Sequence, residues 1–117
     1  MNDGYERYKK MIDEFVKLSQ SSTEATNVKK GSFPKVEMFQ DINTLLEKLS
    51  EKERETLSKL LVDCRSAAIF DVLHHLEWLR CCHDMQISED NIELILDKAQ
   101  GFSDDFIGRL TSWQWPE

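Results

Sequence analysis

The densest run of chemistry-bearing side chains is Asp71-Val-Leu-His74-His75-Leu-Glu77, with Cys81 and Cys82 close behind. Asp71 stands three residues before His74 and four before His75, and either pair would meet on a helix surface. His74, Glu77 and Cys81 follow at steps of three and four, so they share one stripe. Imidazole, carboxylate and thiolate are all zinc ligands, which makes these three the weak candidates for a metal site. Bundle metal sites draw ligands from several facing helices, and the only histidine outside the pair is His83. The tight H-E-x-x-H motif is absent. The same spacing is accounted for if Asp71 fixes a histidine tautomer within a packed helix, and no cofactor is expected.

Nucleophilic catalysis needs a serine or cysteine held by a histidine and a third orienting group. Cys81 or Cys82 near His83 lacks that third member, and sequence neighbours point apart on a helix. Phosphate cradles need a glycine-rich loop before a helix. The four glycines, Gly4, Gly31, Gly101 and Gly108, are isolated. The expectation therefore leans away from an enzyme, with no catalytic residue assigned.

Trp113 and Trp115 are the partner-binding candidates. Two apart on an extended tail, they would face opposite ways, and tryptophan is enriched at interface hot spots. A C-terminal clamp, with both rings packed on the protein's own helices, explains them equally well. Arg109, just before the tail, is placed to pair with Asp105 at four residues' spacing.

The elements that must position these groups are mainly helical. Tyr5, Tyr8, Ile12, Phe15 and Val16 recur at three- and four-residue steps, which predicts a helix over 3–19. Residues 20–34 have little apolar content and read as a loop, free to move up to Lys30. Phe39, Ile42, Leu45, Leu46 and Leu49 give a helix from about Val36 to Leu49. Ser50-Glu-Lys-Glu53 is a capping box, opening a long helix to about Cys82. Its first half is amphipathic through Leu57, Leu60, Leu61 and Cys64. From Ala67 to Leu79 apolar residues lie on every side, so this stretch is expected to be shielded all round, by the chain's other helices or by a second copy.

Residues 85–96 read in two ways. Ser88 can cap a helix carrying Ile92, Ile95 and Leu96 and ending at Gly101. Alternatively, 85–87 and 92–96 pair as a hairpin across Ser88–Asn91. The helix is the first choice. A last short helix, capped by Ser103, carries Phe106, Ile107 and Leu110, and Pro116 favours an extended tail.

The chain has 117 residues, 40% of them hydrophobic and 32% charged. That suits one domain with one core and argues against disorder. Twenty-two acids against 15 bases give a net charge of −7. A phosphate-neutralising nucleic-acid binder needs the opposite balance. Residues 84–117 hold eight acids and two bases, which motivates an alternative role as a small acidic inhibitor of a basic protein, of the immunity or antitoxin kind. No run approaches the roughly 20 apolar residues of a membrane span. The N-terminus has acids where a secretory signal needs bases, so no membrane is expected and the location is expected to be cytoplasmic. Three cysteines, Cys64, Cys81 and Cys82, are a poor disulfide framework.

Pieces across most of the chain carry a resemblance. They are Tyr8 with Ile12-Asp-Glu-Phe-Val16, then Lys30-Gly-Ser-Phe-Pro34, then Arg65 with Ala68-Ile-Phe-Asp-Val-Leu73. The last is Asp105-Phe-Ile-Gly-Arg-Leu110 with Trp113-Gln-Trp-Pro116, a D-F-I-G-R-L-x-x-W-x-W-P pattern. In these the chain resembles a family of small uncharacterised bacterial proteins. The resemblance implies a whole-domain relationship and a hairpin after the long helix. It brings no activity and no site residue. It has a histidine where Phe70 stands, so a role centred on that histidine does not carry over.

The expectation is thus a mainly α single domain over 1–117, a bundle of four to five helices around a long central one, with room for a small β-hairpin near 85–96. A non-enzymatic interaction or scaffold protein, self-associating or bound to a protein partner, ranks first. The acidic inhibitor and a metal-dependent enzyme follow.

Overall fold

A computed structural model describes residues 3–117. In chain order it contains α1 (Asp3–Ser19), α2 (Thr23–Lys30), a 3-10 turn (Glu37–Phe39), α3 (Gln40–Glu47), α4 (Glu51–His83), β1 (Ser88–Glu89), β2 (Ile92–Glu93) and α5 (Phe102–Leu110). The chain is mainly α with one long helix, as the periodicity predicts, and it carries one small antiparallel hairpin. Among the described residues no helix is long and apolar enough to cross a membrane. The backbone packs as two compact units. One is Ser19–Ser66; the other combines the chain up to Leu18 with Ala67–Glu117.

In the Ser19–Ser66 unit the expected 20–34 loop is a loop only at its ends. Ser22 accepts the Ala25 N–H at 3.0 Å, and the Gly31 and Ser32 amides return to Val28 and Asn27 carbonyls at 3.1 Å. These are a side-chain N-cap and a Schellman C-cap. Both signals stand in the sequence; the low apolar content hid them, because Ala25 and Val28 alone bury the helix. The helix expected from Val36 begins with the 3-10 turn and is α-helical from Gln40. Of its stripe, Leu46 is buried while Leu45 stays exposed. Asn43 bridges the Phe33 amide and carbonyl at 2.7 and 3.3 Å. The capping box forms in both directions: Ser50 N–H to Glu53 at 2.8 Å, and Glu53 N–H to Ser50 at 3.1 Å.

The other unit holds the larger core. Tyr5, Tyr8 and Ile12 of α1 meet Leu73 of α4, Leu94 after the hairpin, and Phe102 and Phe106 of α5. The 85–96 segment is a hairpin, so the helical reading is overturned. Ser88 pairs with Glu93 and Glu89 with Ile92. Asp90 and Asn91 both take positive φ, 52° and 63°, the geometry of a two-residue turn that matches strand twist. Leu94 is buried and Ile92 and Leu96 half-buried, while Glu93 and Ile95 face out. That period of two, not the helical set Ile92, Ile95 and Leu96, governs the segment. Gly4 lies against the strand that follows: the Ile95 N–H donates to its carbonyl at 3.2 Å. A Cβ there would stand 2.3 Å from the Glu93 carbonyl oxygen.

α4 runs from Glu51 to His83, close to expectation, but its second half is not shielded all round. Leu73 is 2% exposed, whereas Val72 is 60% and Trp78 48% exposed. Ala67, Ala68, Asp71, His74 and His75 are exposed as well. Ile69, Phe70, Leu73 and Leu76 supply the face that joins the core.

Candidate functional site

The N-cap of α5 is Gly101, not the expected Ser103. Its φ of 142° suits glycine alone, and a Cβ would lie 2.9 Å from Glu77 Oε1. The amides at the helix's start are met by side chains from two places, α5 itself and α4. Asp105, 1% exposed, reaches back so that Oδ1 accepts the Gln100 N–H and Oδ2 the Gly101 N–H, each at 3.1 Å. Tyr8 Oη donates to the same Oδ2 at 2.5 Å. Glu77, across from α4, accepts the Phe102 N–H at 3.1 Å. Anionic oxygens at a helix N-terminus are stabilised by the free amides and the helix dipole.

Glu77 also binds Arg80 through Nε at 3.1 Å and through Nη2. Burial pushes its carboxyl up, but Arg80 and the Phe102 amide outweigh that and hold it below the usual carboxylate range. Cys81 Sγ reaches Glu77 at 3.4 Å, and that carboxylate together with burial raises the thiol. Burial, then the bond to Asp105, pushes the Tyr8 hydroxyl far above its ordinary value. Tyr8 is 0% exposed. A general acid or base must touch what it protonates, and no solute reaches this hydroxyl. The knot ties α1, α4 and α5 together.

Of the metal candidates, Glu77 and Cys81 are brought together, with Arg80 occupying the carboxylate. His74 turns to Ser103 Oγ at 3.4 Å and stacks on Phe70, ring centres 5.9 Å apart. Among the described residues no three His, Cys, Asp or Glu are grouped to hold a metal. Asp71 forms no hydrogen bond with either histidine among those residues. His75 instead lies 5.6 Å from the Trp78 ring, and His83 4.5 Å on.

The two tail tryptophans do not face opposite ways. Their rings meet edge to face at 5.3 Å, because Ser112 takes a φ of 68° and turns Trp113 back onto α5. The Trp113 amide closes on the Gly108 carbonyl at 2.8 Å. Trp115 packs against Tyr5 and Tyr8, and its indole N–H donates to Asp13 at 3.2 Å. Arg109 pairs with Asp13 at 2.7 Å rather than with Asp105, and donates to the Trp113 carbonyl at 2.5 Å. The D-F-I-G-R-L-x-x-W-x-W-P segment is thereby a clamp on α1. Sequence reasoning missed Asp13 and Tyr8. The available signal was a carboxylate beside, and a hydroxyl within, the apolar stripe of α1.

A cleft of about 390 Å³ opens between the end of α4 and the hairpin, lined by Arg80, Asp84, Met85, Glu93 and Leu94 among others. Arg80 is its base, and Glu77 already neutralises it. Of the acids in 84–117, Glu89 and Asp90 are held by Arg7 at 2.7 and 3.1 Å, and Asp105 is internal. What stays open is the outer flank of α4. Ala68, Asp71, His75 and Trp78 follow at steps of three, four and three, directly opposite the buried Leu73, with Val72 alongside.

No curated protein and no solved structure matches the chain. A family model does, over residues 1–117, and the chain belongs to that family of unknown function (DUF6547).

Proposed function

We propose that this chain is a non-catalytic interaction module that pairs with a second copy of itself through the outer flank of α4. One observation carries the reading: a helix anchored by Leu73 turns Ala68 and Trp78 to solvent on the flank opposite it, with the exposed Val72 at that flank's edge. A tryptophan left half in water on a rigid helix is the residue type that dominates interfaces once covered. The strip is patterned as a seam rather than as scattered apolar side chains, with residues at heptad steps. The Tyr8–Asp105 pair, closed to solutes, belongs to the scaffold that holds α4 rigid.

Light scattering over a concentration series tests this. Wild type is expected to approach twice the chain mass, and Val72→Glu to return it to one chain while keeping its helical circular dichroism. A wild-type protein that stays monomeric at millimolar concentration defeats the reading.

A further inference from the structure

The exposed strip of α4 has a symmetry that fixes how two copies would meet. Ala68 and Trp78 lie equally far from Leu73 along the helix, and so do Asp71 and His75, two residues to either side. All four are exposed. We infer that α4 pairs with the α4 of a second copy in antiparallel orientation, about a two-fold axis at Leu73, so that Asp71 faces His75 and Ala68 faces Trp78 across the seam. The inference rests on the self-association proposed above and adds its orientation and register.

Heptad seams pair their positions differently in the two orientations. Antiparallel helices set each first position opposite a second one; parallel helices set each position opposite its own copy. Parallel pairing here would place two Asp71 carboxylates together, and two Trp78 rings at another layer with two Ala68 methyls below. Like charges face to face are unfavourable, and large opposite large with small opposite small packs poorly. Antiparallel pairing removes both conflicts. Each carboxylate meets an imidazole that can donate to it, and each indole covers an alanine. Both pairs occur twice, as an isologous two-fold interface requires.

The groups are free to do this. Among the described residues Asp71 has no hydrogen bond or ion pair, and the ring contacts of His75 are with Trp78 on its own helix. The strip from Ala68 to Trp78 is about 15 Å long at 1.5 Å per residue. So short a seam buries less than the roughly 800 Å² per partner of a standard interface. The dimer is therefore reversible and concentration-dependent.

Charge exchange reads the orientation, with sedimentation equilibrium as the assay. Asp71→Lys and His75→Glu alone should each weaken the dimer about tenfold or more. The double variant D71K/H75E should recover to within about threefold of wild type, because lysine then faces glutamate across an antiparallel seam. In a parallel seam the double variant sets lysine against lysine and glutamate against glutamate, and stays weak. A dimer weakened by Val72→Glu but not recovered by the double exchange overturns the antiparallel register and leaves self-association standing. A dimer indifferent to both Val72→Glu and Asp71→Lys places the interface elsewhere and overturns both proposals. Circular dichroism of each variant, all at exposed positions, confirms that only association has changed.

Discussion

Asp105 is the position where one substitution should cost this protein most. Its carboxylate accepts three donors: the Gln100 and Gly101 amides and the Tyr8 hydroxyl. Asp105→Ala strands all three. Gln100 is exposed and its amide can take water, so its loss is small. Gly101 and Tyr8 are buried, and each buried donor left without a partner costs about 1–3 kcal/mol. The sum is about 2–6 kcal/mol, against a total stability of roughly 5–15 kcal/mol for a natural domain. Tyr8→Phe is the informative comparison. It removes one donor and leaves the carboxylate with its two amides, so it should cost about 1.5–3 kcal/mol, less than Asp105→Ala. Trp78, Trp113 and Trp115 all lie in the same unit as Asp105, so tryptophan fluorescence during urea unfolding reports on that unit. An Asp105→Ala loss below about 1 kcal/mol, or one smaller than that of Tyr8→Phe, would refute the assignment of this carboxylate as the hub of the knot.

Two further outcomes are expected from the same unit. Glu77 has a folded-state value below its unfolded one, so its stabilisation is complete above the ordinary glutamate range, near about 4.3, and is lost as pH falls through the lower folded value. Urea midpoints measured from pH 6 to 3 should fall less steeply for Glu77→Gln than for wild type; parallel curves would show that the Arg80 pairing contributes nothing to acid stability. Gly4→Ala opposes two effects, a helix-propensity gain of up to about 1 kcal/mol and an overpacking cost of about 1–3 kcal/mol. With a Cβ at 2.3 Å from the Glu93 carbonyl oxygen, the clash should win. The Ile95 amide should then exchange faster with deuterium, and a stabilised variant would contradict the packing.

How far the sequence discloses this molecule depends on the range of the interaction that decides each part. The helix over 3–19, the capping box at Ser50 and the long helix to His83 follow from neighbours within one or two turns, and all three stand where the spacing puts them. The 85–96 segment was ambiguous because its local evidence was divided. Ser88 with two following acids imitates a helix start, whereas Asp90 and Asn91 tolerate the positive φ of a turn. What decides it is non-local: Leu94 fits the core between α1 and α4 only on an alternating strand. The candidate site shows the same division. The heptad steps of Ala68, Asp71, His75 and Trp78 are visible in the letters, but so is the wholly apolar set Ile69, Phe70, Leu73 and Leu76 on the opposite side of the helix.

Apolar residues occur on every side of α4 between Ala67 and Leu79, which is why that stretch read as shielded all round, although Asp71 and His75 already mark the flank away from Leu73 as the more polar one. The preference comes from Tyr8, Ile12, Phe102 and Phe106, which claim the Leu73 side and leave the Trp78 side in water. An apolar helix whose own chain covers one flank has two physical outcomes. Either its other flank carries the cost of exposed apolar surface, or a second surface covers it. In the pairing proposed above, the acid, the imidazole and the small and large apolar residues set symmetrically about Leu73 would supply such a surface from a second copy.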